Sequence, residues 1–235
     1  MSCSSLRTPI RVVLFDLVGT ILAPGAPVAE TYAAAAARHG LRIDAEIVAN
    51  NFRQVLSRYR YRPRATIPSD GDDRVYWGEM VRESLAPALD SGLGLGRGKE
   101  IAGELYAHYG SGEAWRLYPE AKRVLAGLRG LGIRLGVLSN WDRRARRVLA
   151  DLGLVEFFSE IFLSAELGAA KPDPFVYRLA CERLECPPAA ILLVGDDPEN
   201  DGTAPRACGY ASWVIQRPGS NLEDLPLLLM FTNAG

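Results

Sequence analysis

The chain has 235 residues, 48% of them hydrophobic and 23% charged, enough apolar material for one large or two modest globular domains. A formal net charge of -1 and a pI near 6.2 argue against nucleic acid or an acidic membrane surface as a partner. Four cysteines without a CxxC pair, and His39 and His108 as the only histidines, argue against zinc, a histidine-based triad and a disulfide framework, and fit a reducing, cytoplasmic setting.

The apolar stretch 12–22 carries Asp16 in its middle and has no small-residue cleavage site behind a clean apolar block, so it reads as a strand with its loop rather than a signal peptide. No run approaches the roughly 18 apolar residues that a membrane span needs. The strand itself is 11–15. Pro24-Gly25-Ala26-Pro27 then breaks the pattern, and helical spacing follows at 28–39, 45–59, 76–85 and 100–109. Two features of this region invite a functional reading. SGLGLGRG at 91–98, followed by Lys99, resembles a phosphate loop, but Leu93 and Glu100 stand where such a loop needs glycine and a hydroxyl, so a flexible connection fits better. Arg58, Arg60, Arg62 and Arg64, alternating with Tyr59 and Tyr61, suit either a solvated charged face or a collector of an anionic substrate.

Beyond residue 116 the rhythm changes. Helices are expected at 119–129, 143–152 and 174–184, and strands at 133–138, 161–163, 191–194 and 211–215. Such short runs, apolar on both faces, are buried parallel strands. Their alternation with helices predicts an α/β fold, a Rossmann-like doubly wound parallel sheet formed by 1–22 and 116–235, with 23–115 inserted as a helical cap. Trp77, Trp115, Tyr106, Tyr109 and the apolar stretch 225–231 suit either a core or an interface, which leaves the oligomeric state open.

Polar residues follow the expected strands in a consistent way. Asp16 comes directly after the first strand, at the sheet edge where open α/β folds bind ligands, and Gly19 and Thr20 shape its loop. Ser139 and Asn140 end the strand at 133–138, offering a hydroxyl and an amide suited to phosphate oxygens. Lys171-Pro172-Asp173-Pro174 offers a cation and a helix cap. Gly195-Asp196-Asp197, continuing to Asn200-Asp201, puts further carboxylates after the strand at 191–194. Each segment alone is as readily a turn or a cap; the four in this order argue for one site. Asp16, Asp196 and Asp201 gathered together would repel without a cation between them. A hard divalent ion such as Mg²⁺ resolves this, with Lys171 offsetting the remaining charge.

These motifs resemble the haloacid-dehalogenase-like hydrolase superfamily: Asp16–Thr20, Ser139, Lys171-Pro172, and Gly195-Asp196 with Asp201. SNWDRR at 139–144 together with KPDP resembles the haloacid-dehalogenase-like domain-containing hydrolases of animals. The resemblance implies that Asp16 attacks a small phosphorylated substrate to form an aspartyl-phosphate that water hydrolyses. It implies Mg²⁺ held by Asp16, the Val18 carbonyl and Asp196, with Asp201 acting through water. It implies Lys171 as charge stabiliser, with Ser139, Asn140 and Thr20 binding phosphate and a helical cap closing over the site. One position departs from the pattern. Family phosphatases carry a second Asp two residues after the nucleophile as general acid and base, and Val18 stands there. Asp142, Asp197 and Glu199 are the candidates to replace it. The expectation is therefore a slow or specialised phosphohydrolase. The alternatives are a non-catalytic binder of a phosphorylated ligand or protein, and a 2-haloacid dehalogenase. That last branch typically replaces the fourth-motif acids by Ser and Asn, which Gly195-Asp196-Asp197 argues against.

Overall fold

A computed structural model of the chain describes residues 8–58, 70–90, 96–226 and 229. The chain begins with β1 (Val12–Phe15) and β2 (Leu22–Pro24), and continues through α1 (Val28–Arg38), α2 (Ala45–Arg58), α3 (Asp70–Ser84), α4 (Ala86–Leu89) and α5 (Arg97–His108). It then forms β3 (Trp115–Leu117), α6 (Ala121–Gly130), β4 (Arg134–Ser139), α7 (Arg144–Asp151), β5 (Glu160–Leu163), α8 (Ser164–Leu167) and α9 (Pro174–Leu184). It ends with β6 (Ile191–Gly195), α10 (Ala204–Ala207) and β7 (Ala211–Val214).

Five strands form one parallel sheet in the order β5-β4-β1-β6-β7. β1 lies at its centre, with Val12 to Phe15 opposite Arg134 to Val137 on one side and Ile191 to Val194 on the other. Every residue of β1 and β6 is buried, as the uninterrupted apolar runs require when helices cover both faces. From β1 the chain builds outward through β4 to β5, then returns to the other side of β1 as β6. The strand order therefore reverses between β1 and β6, and their carboxyl ends flank the crevice where open sheets of this kind bind ligands.

The chain packs as two compact units, one from the described residues of 1–23, 117–141 and 153–235, the other from those of 24–116 and 142–152. The first contains the five-stranded sheet. The second has its own core, in which Tyr32, Ala35 and Ala36 of α1 meet Val48, Val81, Leu85, Ile101 and Leu105. Residues 142–152, expected with the sheet, pack instead with these helices. The reason is electrostatic as well as apolar. The Arg144 guanidinium donates to both oxygens of Asp142, at 2.9 Å and 2.6 Å, and to the Tyr106 carbonyl at 2.8 Å, and lies 3.8 Å from the Tyr106 ring centre. Arg143 pairs with the buried Asp73 at 3.2 Å, and the Gly112 amide donates to Asp151 at 2.9 Å.

Two further differences from the sequence expectations have local causes. α3 begins at Asp70, well before the expected 76, because Asp72 and Asp73 suit the positive end of a helix although the aromatic spacing starts only at Tyr76. The inserted region is also not wholly helical. It is entered and left through a two-stranded ribbon of β2 and β3, too short to show a period in the sequence. The arginine–tyrosine alternation beyond Arg58 and the glycine stretch before Gly96 lie outside the described residues. Of the apolar stretch 225–231, Leu225 and Leu229 are buried and most of the remainder lies outside the described residues. No helix among the described residues is long and apolar enough to cross a membrane.

Candidate active site

The site grows from the carboxyl ends of β1 and β6. The Asp16 amide donates to Val194 O at 2.8 Å, which carries the ladder one residue past the strand and holds the Asp16 backbone against β6. The chain then turns sharply, with Gly19 N donating to Leu22 O at 2.8 Å and Leu22 N to Leu17 O at 3.0 Å. Gly19 adopts a φ of 88°, and a Cβ there would lie 2.2 Å from Asp196 Oδ2. Only glycine permits both the left-handed turn and the approach of that carboxylate.

The opposite wall is built the same way. A Cβ on Gly195 would lie 2.1 Å from Asp201 Cγ, so the glycine leaves room for the Asp201 side chain to fold back against the end of β6. Asp201 rides on a π-helical stretch, Pro198–Thr203, a wide turn that recurs at functional sites. Asp197 caps this stretch, accepting from the Glu199 and Asn200 amides at 2.8 Å and 2.9 Å. Tyr177 Oη donates to Asn200 O at 2.6 Å, and Tyr210 Oη to Tyr177 O at 2.7 Å, so α9 and the segment before β7 brace the same turn.

Lys171 joins the two walls. Its ammonium, 2% exposed, donates to Asp16 Oδ1 at 2.9 Å and to Asp201 Oδ1 at 2.5 Å. Asn140 holds the lysine from behind: its amide donates to Lys171 O at 2.8 Å and its oxygen accepts from Lys171 N at 2.8 Å. Asp173 accepts from Phe175 N at 2.9 Å and starts α9 just beyond. Asp201 has both oxygens engaged, Oδ2 accepting from the Asp197 amide at 3.1 Å.

Asp16, Asp196 and Asp201 each offer one oxygen, and these oxygens lie within 4.8 Å of one another. At that separation each carboxylate pair repels by about 3 kcal/mol in an effective dielectric near 20. With all three carboxylates ionised, the ammonium of Lys171 is the one cation bonded to them among the described residues, which leaves an excess that one divalent cation could balance. The proton affinities reflect this crowding. Burial, helped by Asp201 and Asp196 and opposed by Lys171, raises the Asp16 carboxyl to about 7. Burial and then Asp201 raise Asp196 as well. For Lys171 burial works against the charge, and the two carboxylates outweigh it, so its pKa rises.

Of the residues singled out in the sequence, Asp16, Lys171, Asp196 and Asp201 therefore cluster, and Ser139 is the buried last residue of β4. Asn140 bonds the Lys171 backbone through its oxygen and one of its two amide N–H groups. Thr20 is wholly buried, and its hydroxyl has no partner among the described residues. Val18 is 38% exposed. Of its three possible replacements as proton donor, Asp142 is tied to Arg144 and Asp197 to the amides it caps.

Arg217, Tyr118 and Glu120 carried no signal in the sequence, yet they reach the nucleophile loop. Arg217 donates to Gly19 O at 3.3 Å, to Thr20 O at 3.0 Å and to Glu120 at 2.7 Å. Residues this far apart in the chain leave no spacing from which to predict the contact.

A parallel sheet with three acidic residues gathered at its switch point and a lysine bonded to two of them is an α/β scaffold whose site could hold a cation. A model of the haloacid dehalogenase-like hydrolase family matches residues 10–209. The haloacid dehalogenase-like hydrolase domain-containing protein 3 of Danio rerio is 30% identical over 233 residues, covering 94% of this chain and 91% of that protein. The phosphoserine phosphatase of Thermus thermophilus is 35% identical over 137 residues, covering 57% of this chain and 53% of that protein. Among solved structures, an L-2-haloacid dehalogenase shares the fold with a TM-score of 0.72 at 22% identity, covering 95% of this chain and 100% of the other. The chain belongs to the haloacid dehalogenase-like hydrolase family.

Proposed function

We propose that this protein is a phosphohydrolase of small phosphorylated compounds that works through an aspartyl-phosphate at Asp16 and uses Mg²⁺. The observation that carries the reading is the gathering of Asp16, Asp196 and Asp201 around Lys171, with an excess of negative charge that one divalent cation would balance. The acidic donors suit Mg²⁺, which takes oxygen ligands and keeps waters and substrate phosphate in its shell. Asp16, the Val18 carbonyl and Asp196 would hold it, and Asp201, with both oxygens already engaged, would support it. When bound, the cation supplies charge neutralisation, keeping the carboxylates ionised and drawing charge from the phosphoryl oxygens.

The rest falls to the chain itself. Asp16 attacks phosphorus with a carboxylate oxygen, forming an acyl phosphate as the bond to the leaving oxygen breaks and its electron pair departs with that oxygen. Lys171 orients Asp16 through Oδ1 and stabilises the charge on the transferring group. Ser139, at the end of β4, contributes a hydroxyl to the phosphoryl oxygens. Water then attacks the phosphorus of the aspartyl-phosphate, releasing phosphate and restoring the carboxylate. Val18 supplies no proton, and a missing acid or base typically costs about 10²- to 10⁴-fold in rate. Leaving groups stable as anions, such as those of acyl and aryl phosphates, suffer least. The phosphatase among the relatives supports the reaction class. The helical unit is the natural place for substrate choice.

A second reading has a specific observation in its favour. Val18 is exposed, while Asp142 and Asp197 are held by other partners, which suits a scaffold that binds a phosphorylated ligand without turning it over. Hydrolysis of acetyl phosphate and p-nitrophenyl phosphate, with and without Mg²⁺, separates the two. Turnover that requires Mg²⁺ and vanishes in Asp16→Asn supports the enzyme. Turnover only in Val18→Asp supports the binder. Silence in all of these, with halide released from a 2-haloacid, overturns both.

A further inference from the structure

The nucleophile loop is a tight turn whose internal hydrogen bonds set its shape: Gly19 N to Leu22 O, and Ile21 N and Leu22 N to Leu17 O. They do not set where its tip stands above the sheet. At the root, the Asp16 amide is fixed on Val194 O. At the tip, the carbonyls of Gly19 and Thr20 point to one guanidinium, that of Arg217, which lies beyond the carboxyl end of β7. The same guanidinium bonds Glu120 and lies over the Tyr118 ring, 3.4 Å from its centre, and the Tyr118 amide in turn donates to Ile21 O at 3.0 Å. Glu120 is buried and Arg217 half-buried, so the charge-assisted bond between them is only partly open to solvent.

We propose that Arg217 is a positioning residue of the active site. By fixing the two carbonyls at the loop tip, it holds Gly19 against the Asp196 carboxylate and so keeps the walls of the cation centre at their working separation. The chain of contact is short. Arg217 holds the Gly19 carbonyl, Gly19 packs directly on Asp196, and the Val18 carbonyl belongs to the next peptide upstream. The role needs an arginine, because three acceptors and an aromatic face are served at once by a planar fork that a lysine lacks. The proposal rests on the phosphoryl-transfer reading only for its effect on turnover; the control of the loop stands on geometry alone.

Two measurements on Arg217→Gln and Arg217→Lys test it. In metal-free protein, the Gly19, Ile21 and Leu22 amides should exchange with solvent about tenfold faster in Arg217→Gln than in wild type, the factor that one lost charge-assisted hydrogen bond delivers, with Arg217→Lys between them. Exchange at Val137 and Leu138 in β4 should not change. With acetyl phosphate and Mg²⁺, kcat of Arg217→Gln should fall about 10²-fold, as misplacement by an ångström does. The KM for acetyl phosphate should stay within about twofold, because Arg217 acts on the placement of the reacting groups and not on the binding of the substrate itself. Unchanged exchange at the loop overturns the proposal. So does a kcat that falls no further than the loss of folded protein explains. If wild type hydrolyses nothing, the phosphoryl-transfer reading fails separately, and the exchange comparison still decides for or against Arg217.

Discussion

Replacing Lys171 by methionine keeps the length of the side chain and removes its charge. In the native site the ammonium is bonded to Asp16 at 2.9 Å and Asp201 at 2.5 Å, and those carboxylates are 12% and 1% exposed. Taking one partner from a buried ion pair costs about 3–5 kcal/mol, because the remaining charge is left uncompensated. The volume change is small, so packing adds less than about 1.5 kcal/mol. In a chain of this size each kcal/mol lowers the melting temperature by about 2–4 °C, so the metal-free variant should melt roughly 6–20 °C below wild type. Mg²⁺ should then separate this cause from ordinary damage. A cation at about 100 times its Kd stabilises a protein by about 2.7 kcal/mol. The variant, with one more unbalanced negative charge, should gain more from it than wild type at equal concentration. Calorimetric melting in chelator and in Mg²⁺ gives both numbers. A loss under about 1 kcal/mol, or an equal gain from Mg²⁺ in the two proteins, would refute the charge balance drawn for the site.

Two further predictions follow from the same geometry. Asp16 is raised from 3.8 to about 7 in the folded protein without metal, so its contribution to stability is complete below pH 3.8 and disappears as pH rises through about 7. Metal-free protein should therefore lose stability across that window by denaturant titration, and Asp16→Asn should remove this component of the slope; an unchanged slope in the variant would contradict the assignment. Gly195→Ala would put a Cβ 2.1 Å from Asp201 and force the carboxylate away from Lys171, so activity should drop about 10²-fold. Gly127→Ala, in α6 with open space around it, should be neutral or stabilising by up to about 1 kcal/mol, and equal behaviour of the two variants in both assays would sink the steric argument.

Much of this architecture is visible in the sequence because it rests on local chemistry. β1 and β6 are continuous apolar runs, which is what a strand covered on both faces must be. α9 runs Pro174–Leu184 as expected, since Asp173 and Pro174 form a start signal that needs no tertiary help. The acidic cluster is also legible, as each of its members follows a strand. What escapes is set by partners distant in the chain. Asn140 reads as a phosphate ligand in the sequence, and its two bonds to the Lys171 backbone become visible only in the fold. Arg217 is one arginine among many until two separate segments, 19–20 and 118–120, meet on it. The placement of 142–152 depends on Arg144 finding Tyr106 and on Arg143 finding Asp73, neither of which has a spacing to betray it.

That last placement bears on how such a protein can change. The chain passes between the two units at 23–24, 116–117, 141–142 and 152–153. A stretch cut out at 24–116 and replaced by a foreign one would leave α7 behind, with Arg144 stripped of its tyrosine, Arg143 of Asp73 and Asp151 of the Gly112 amide. The helical unit is thus no cassette. A graft has to bring two pieces of chain that match each other, so the unit is altered more readily by point substitution within it than by exchanging it whole.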